Sequence, residues 1–128
     1  MAGKAAYRAG VVLTILPVLF LIFDSVIKFT ALPVVSESMA QLGYPAGSAI
    51  TIGTIEIVCL VLYLIPQTSV LGVVLLTGYL GGAIATHLRV GNPLFSHVLF
   101  PTYIAAFLWA GLFLREQRLR VLLPLRAA

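Results

Sequence analysis

Most of this 128-residue chain is apolar, and against that background a few side chains have the types and spacing that chemistry needs. Asp24 and Lys28 stand four residues apart, so on a helix they share a face and can pair. Glu56 lies in the middle of a long apolar run with no charge partner in its own helix. His87, Arg89 and His97 gather around the turn Gly91-Asn92-Pro93, with Tyr79 and Tyr103 on either side. A carboxyl group remote from water, a second carboxylate beside an ammonium, and imidazoles at a turn are equipment for passing protons or for holding the polar end of a ligand. An ionisable group at the bilayer centre costs at least about 2–3 kcal/mol, and that cost makes it a functional candidate by default. Glu56, Asp24 and His87 are therefore the candidate catalytic residues. Lys28, Tyr79, Arg89, His97 and Tyr103 are the candidate ligand-binding residues. Plain structural roles stand beside each: a neutralising Asp24–Lys28 pair with the lysine snorkelling outward, a Glu56 bonded to another helix, and histidines at an interface with no special chemistry.

Other chemistries find no support. Metal ligation by His87 and His97 would need further convergent ligands, and the sequence offers no HxxxH pair, no cysteine nearby and no acidic cluster in the turn. No metal is expected. The single cysteine, Cys59, lies inside an apolar run, so neither an internal disulfide nor CxxC thiol exchange is available. Phosphate loops, dinucleotide fingerprints and nucleophile elbows are absent. The basic tail from Arg115 to Arg126 is short and close to an apolar run, which suits anionic lipid headgroups and gives no reason to invoke nucleic acid.

The elements that position these residues follow from composition. Hydrophobic residues make up 61% of the chain and charged residues 9%, against about 25% in soluble domains. Lipid must be the solvent for most of the surface, and long apolar runs call for helices rather than barrel strands. The expected fold is all-α: one domain over residues 1–128, a four-transmembrane-helix bundle with spans at about 9–30, 46–65, 70–88 and 97–114. Pro17 should kink the first span or be absorbed by neighbouring helices. Ala31 to Pro45 reads as a connector carrying Glu37 and the turn Gly43-Tyr44-Pro45. The short turn after Pro66 makes the second and third spans antiparallel neighbours. Gly78 and Gly82 form a GxxxG pair, read as a face that lets another helix approach closely, within the chain or in a homo-oligomer. Lys4, Arg8, Arg115, Arg118, Arg120 and Arg126 lie at the termini, and the two connectors on the other side carry little positive charge. Both termini are thus expected in the cytoplasm, with the polar residues at the midplane or in the outer half.

Several segments together resemble the DoxX-like family of small four-helix membrane proteins. They are Phe23-Asp24-Ser25-Val26-Ile27-Lys28, Leu42-Gly43-Tyr44-Pro45, Ile52-Gly53-Thr54-Ile55-Glu56 and Leu64-Ile65-Pro66-Gln67-Thr68. The more specific ones are Gly81-Gly82-Ala83-Ile84-Ala85-Thr86-His87-Leu88-Arg89 and Trp109-Ala110-Gly111-Leu112-Phe113-Leu114-Arg115. The resemblance implies a multi-pass protein of the inner (cell) membrane. It also implies an association with thiosulfate-to-quinone oxidation or thiol redox complexes, hence a quinone as the possible cofactor or a redox partner protein. The leading expectation is a pocket lined by Asp24, Lys28, Glu56 and His87, with His97 near its mouth, binding a small lipophilic, quinone-like molecule as a redox-accessory subunit. Two rivals stay open: a membrane-embedded enzyme doing acid/base chemistry, such as isomerisation or epoxide opening on a lipophilic substrate, and a small proton-coupled transporter.

Overall fold

The computed structural model describes residues 3–30 and 32–124, and every regular element among them is helical. Arg126, one of the basic residues used to set the orientation, lies outside the described residues. The elements are α1 (Lys4–Lys28), α2 (Pro33–Gln41), α3 (Ser48–Leu64), α4 (Ser69–Arg89), α5 (Phe100–Arg115) and α6 (Gln117–Leu122). A 3₁₀ turn, Pro66–Thr68, joins α3 to α4, and a π-helical turn, Leu94–Val98, leads into α5. Three segments are long and apolar enough to cross a membrane, Lys4–Lys28, Pro66–Arg89 and Leu94–Arg115; the fourth apolar helix, Ser48–Leu64, is shorter at 17 residues.

The four apolar helices close a ring in which α1 touches α3 and α5, and α4 touches the same two from the other side. The short Pro66–Thr68 turn makes α3 and α4 a hairpin, as its length in the sequence requires. Inside the ring Leu21, Leu60, Tyr63, Val73, Leu76, Leu108 and Leu112 are each 2% exposed or less. The outside is as apolar as the inside, with Val12, Leu16, Leu19, Phe23, Val58, Val61, Leu71 and Val74 all exposed. Such a surface is soluble only in lipid.

Glycines set how closely the helices approach, though not the ones the GxxxG pattern singles out. A side chain at Gly72 would run into the backbone of Tyr63, so α3 and α4 meet there without an intervening Cβ. At Gly10 a Cβ would lie 2.8 Å from the Gly111 carbonyl, which brings α1 against α5. A Cβ at Gly53 would lie 3.1 Å from that of Lys28, which brings α1 against α3 one turn from Glu56. Gly78 and Gly82, by contrast, are exposed and face open space with no atom within 4 Å of where a Cβ would stand. The expectation that a helix of this chain packs on them is overturned: α4 turns its Gly72, Val73, Leu76 and Leu80 side inward, and the GxxxG face lies outside that contact.

One further detail differs from the sequence reading, and one falls within it. The connector after α1 contains a nine-residue helix, α2, started by Pro33 at its first turn, where the missing N–H of proline costs nothing. Pro17 sits buried inside a continuous α1, so the neighbouring helices absorb it. At the end of the bundle remote from Asp24, Arg115 Nε donates to Thr14 Oγ1 at 3.2 Å and Nη2 to the Tyr63 hydroxyl at 3.2 Å. Tyr63 in turn donates to the Leu108 carbonyl at 2.8 Å, tying α1, α3 and α5 together.

Candidate functional site

The site begins at the last turn of α1. Asp24 and Lys28 share a face, and the ammonium pairs with Asp24 Oδ2. The absence of a side chain at Gly53 holds α1 close to α3, and Lys28 Nζ reaches Glu56 Oε1 at 3.1 Å. Glu56 is the ninth residue of the 17 in α3, completely buried. From α4, the Tyr79 hydroxyl donates to the same Oε1 at 3.2 Å. Glu56 Oε1 therefore accepts from two helices, while Oε2 is buried with no hydrogen-bond partner among the described residues. Such an orphaned oxygen is uncommon in a folded interior and calls for a reason.

A cavity of about 490 Å³ opens beside this cluster. Asp24 and Lys28 from α1 supply its charged end, and Met39, Ile52 and Ile55 one apolar wall. The opposite wall is α4, from Gly78 and Tyr79 through Gly82 and Ala83 to Thr86 and His87. The open glycine face is thus the floor of a cavity. Its size lies in the usual range for a small-molecule site of about 300–1,000 Å³. Tyr44, from the loop after α2, closes the far side and hydrogen-bonds Thr86 Oγ1 at 2.7 Å. A second cavity of about 380 Å³ lies behind α2 and shares Lys28, Met39 and Tyr44 with the first.

The candidate residues divide on this geometry. Asp24, Lys28, Glu56 and Tyr79 converge. His87 lines the cavity but does not touch Glu56; its Nδ1 lies 2.7 Å from the Asn92 amide nitrogen, and its ring packs edge-on against His97 at 5.9 Å between centroids. His97 is exposed and bonds Ser96 Oγ at 2.8 Å. Arg89 points away to the Leu42 carbonyl at 2.6 Å, so it pins the connector and does not line the cavity. Tyr103 bonds the Phe95 carbonyl at 3.0 Å, on the outside of the bundle. Arg89, His97 and Tyr103 do not line this cavity: each satisfies a local backbone or side-chain group near the π turn or the connector, with His97 packed against the cavity residue His87. The sequence reading missed Tyr44, Thr86 and Met39. Tyr44 stands in the turn that caps the cavity, and only the path of the connector reveals that.

No cluster of three or more His, Cys, Asp or Glu suited to a metal exists among the described residues. The quinone that the sequence resemblance implies meets a mixed fit. The apolar walls and the volume accommodate one ring, but a quinone offers only carbonyl acceptors; the Lys28 and Tyr79 hydrogens beside Glu56 are engaged, which leaves the Ser38 hydroxyl and the His87 ring as the donors for it.

In comparison with known proteins, a sequence model of the DoxX-like family matches residues 12–111. Neither a curated protein nor a solved structure matches the chain.

Proposed function

The chain belongs to the DoxX-like family, and from that premise we propose that it is a four-span protein of the inner membrane, both termini cytoplasmic, that binds a small lipophilic molecule between α1, α3 and α4. The family and the apolar helices make it a multi-pass membrane protein. The observation that carries the binding reading is the cavity of about 490 Å³, walled by Met39, Ile52, Ile55 and the glycines of α4, with the Asp24–Lys28 pair at one end and Glu56 buried behind that pair. Charge buried in a lipid-facing protein is expensive, and a bundle that only had to fold would place leucines there. A redox-accessory role with a quinone-like ligand or a redox partner is the form of this reading that the sequence resemblance favours.

The test is mass spectrometry of what copurifies in mild detergent. The wild-type chain should retain a small lipophilic molecule, and Gly82→Leu, which fills the cavity floor where nothing stands within 4 Å, should lose it without loss of folded protein. Equal occupancy in both would move the site elsewhere. A second reading, acid/base catalysis on a lipophilic substrate, is favoured by the Asp24–Lys28–Glu56 chain, in which one ammonium bridges two carboxylates. Turnover of a candidate substrate by wild type and its loss in Glu56→Gln would distinguish an enzyme from a binding protein.

A further inference from the structure

The hydrogen bonds around the cavity specify the polar end of the ligand; this rests on the binding reading above. Each donor at the charged end can be followed to its acceptor. An ammonium has three hydrogens. Those of Lys28 face Asp24 Oδ2, Glu56 Oε1 and, at 3.4 Å, the Asp24 carbonyl. The Tyr79 hydrogen goes to Glu56. Thr86 gives its single hydrogen to the Gly82 carbonyl at 2.8 Å, so Tyr44 must be the donor in the Tyr44–Thr86 bond and its hydrogen is spent as well. What remains beside Lys28 are acceptors; the donors still free on the lining, the Ser38 hydroxyl and the His87 ring, belong to α2 and to the last turn of α4. Glu56 Oε2 has no partner, and neither does Asp24 Oδ1 among the described residues, on a side chain that is 35% exposed at the cavity wall. The charges point the same way: two carboxylates share one ammonium. Arg89 in the last turn of α4 is committed to the Leu42 carbonyl and is not part of the lining, and His87 Nδ1 is held by Asn92.

We propose that this cavity takes a lipophilic cation bearing an N–H donor, a protonated primary or secondary amine on an apolar body. The ammonium donates to Asp24 Oδ1. Glu56, fully buried, does not touch it and engages Lys28 behind the wall, so that the Lys28 ammonium leaves Asp24 Oδ1 free. The apolar body lies along the open floor at Gly78 and Gly82, between Ile52 and Ile55. A neutral alcohol supplies the donor without the charge; a ketone or quinone supplies neither.

The full-length chain in nanodiscs of zwitterionic lipid is titrated calorimetrically with four probes of one shape: phenylbutylamine, phenylbutanol, phenylbutanone and phenylbutyrate. The amine should bind about ten-fold more tightly than the alcohol: both donate to a carboxylate oxygen, and only the amine adds the attraction of an ion pair. The ketone and the carboxylate should bind still more weakly. Asp24→Asn should bring the amine to the level of the alcohol, and weaken the alcohol far less than the amine. Alcohol or ketone binding as tightly as the amine, with Gly82→Leu still abolishing both, would overturn the cation assignment and leave the cavity as a binding site. Amine binding indifferent to Asp24→Asn would be membrane partitioning and would overturn it too. Binding of no probe, or binding untouched by Gly82→Leu, would remove the cavity reading and the inference together. The comparison among probes is made on the wild-type chain, so it survives any variant that fails to fold.

Discussion

Lys28 holds two carboxylates that belong to different helices, and its removal is felt by both. In Lys28→Met, Glu56 keeps only the Tyr79 hydrogen bond, with no cation in reach. Breaking a buried pair by deleting one partner costs about 3–5 kcal/mol, mostly the penalty of the charge left behind. The expected outcome is a marked fall in the unfolding midpoint in detergent. The double variant Lys28→Met/Glu56→Gln should recover more than half of that loss, because no lone carboxylate remains in the bundle. Equal midpoints for the two would show that packing of the lysine stem is what matters. Half of this cluster was legible beforehand: the i, i+4 spacing of Asp24 and Lys28 makes their pairing a property of one helix. The Lys28–Glu56 contact was not, since it depends on the rotation and height of α3 against α1, and those are set by a missing Cβ at Gly53. Tyr79 was legible as a cavity residue by its place on the glycine-rich helix, whereas Tyr44 belongs to a connector whose course no periodicity records.

At the level of helices, the lesson concerns which face of α4 turns inward. A helix that is apolar all round carries no polar stripe to mark its outside, so the GxxxG spacing was the only available pointer, and it marks the cavity floor instead of a seam. Gly72 makes the close approach. Gly72→Ala should therefore destabilise strongly, by about 1–3 kcal/mol or more, because its methyl meets the Tyr63 backbone, which cannot swing aside as a side chain would. Gly82→Ala meets nothing and should be neutral, or stabilising by up to about 1 kcal/mol from the better helix propensity of alanine. Unfolding midpoints of the two variants in the same detergent check the pair. If both prove neutral, α3 and α4 are less tightly apposed than the structure has them. The number and rough limits of the apolar helices were readable from run length alone, as was the α3–α4 hairpin. Helix α2 was hidden because its nine residues include no side-chain cap and no buried position, so neither capping chemistry nor an apolar stripe announces it.

For the molecule as a whole, the basic residues at the two ends favour cytoplasmic termini, which would set the Asp24 end of the bundle in the outer half of the bilayer. A reporter active only in the cytoplasm, fused after Ala128, should be active. A silent fusion together with an active periplasmic reporter would invert the protein and open the cavity toward the cell interior. The ring closure of α1, α3, α4 and α5 explains why the charged cluster can exist at all. Lys28 and Glu56 lie on the inner side of a ring whose outer side is lipid-facing, so these two meet protein before they meet hydrocarbon, and Asp24 beside them is exposed only in part, at the cavity wall.

The 17 residues of α3 measure about 25 Å along the axis, against about 37 Å for the 25 of α1 and about 30 Å of hydrocarbon in an average bilayer. As a span, α3 would be too short for its surroundings while α1 beside it is too long. The two can agree only if α1 leans and the membrane pinches in along one flank. That flank carries Glu56, so thinning there brings the headgroup region nearer to the most costly carboxylate in the chain. Resistance to unfolding should then peak in lipids with short acyl chains and decline as the chains lengthen, and lengthening α3 by one turn after Ser48 should move the peak toward thicker membranes. Proteoliposomes made from a series of phosphatidylcholines of increasing chain length would reveal it. A flat response across the series would mean that the bilayer keeps its thickness around the protein and that neighbouring parts of the chain cover the ends of α3.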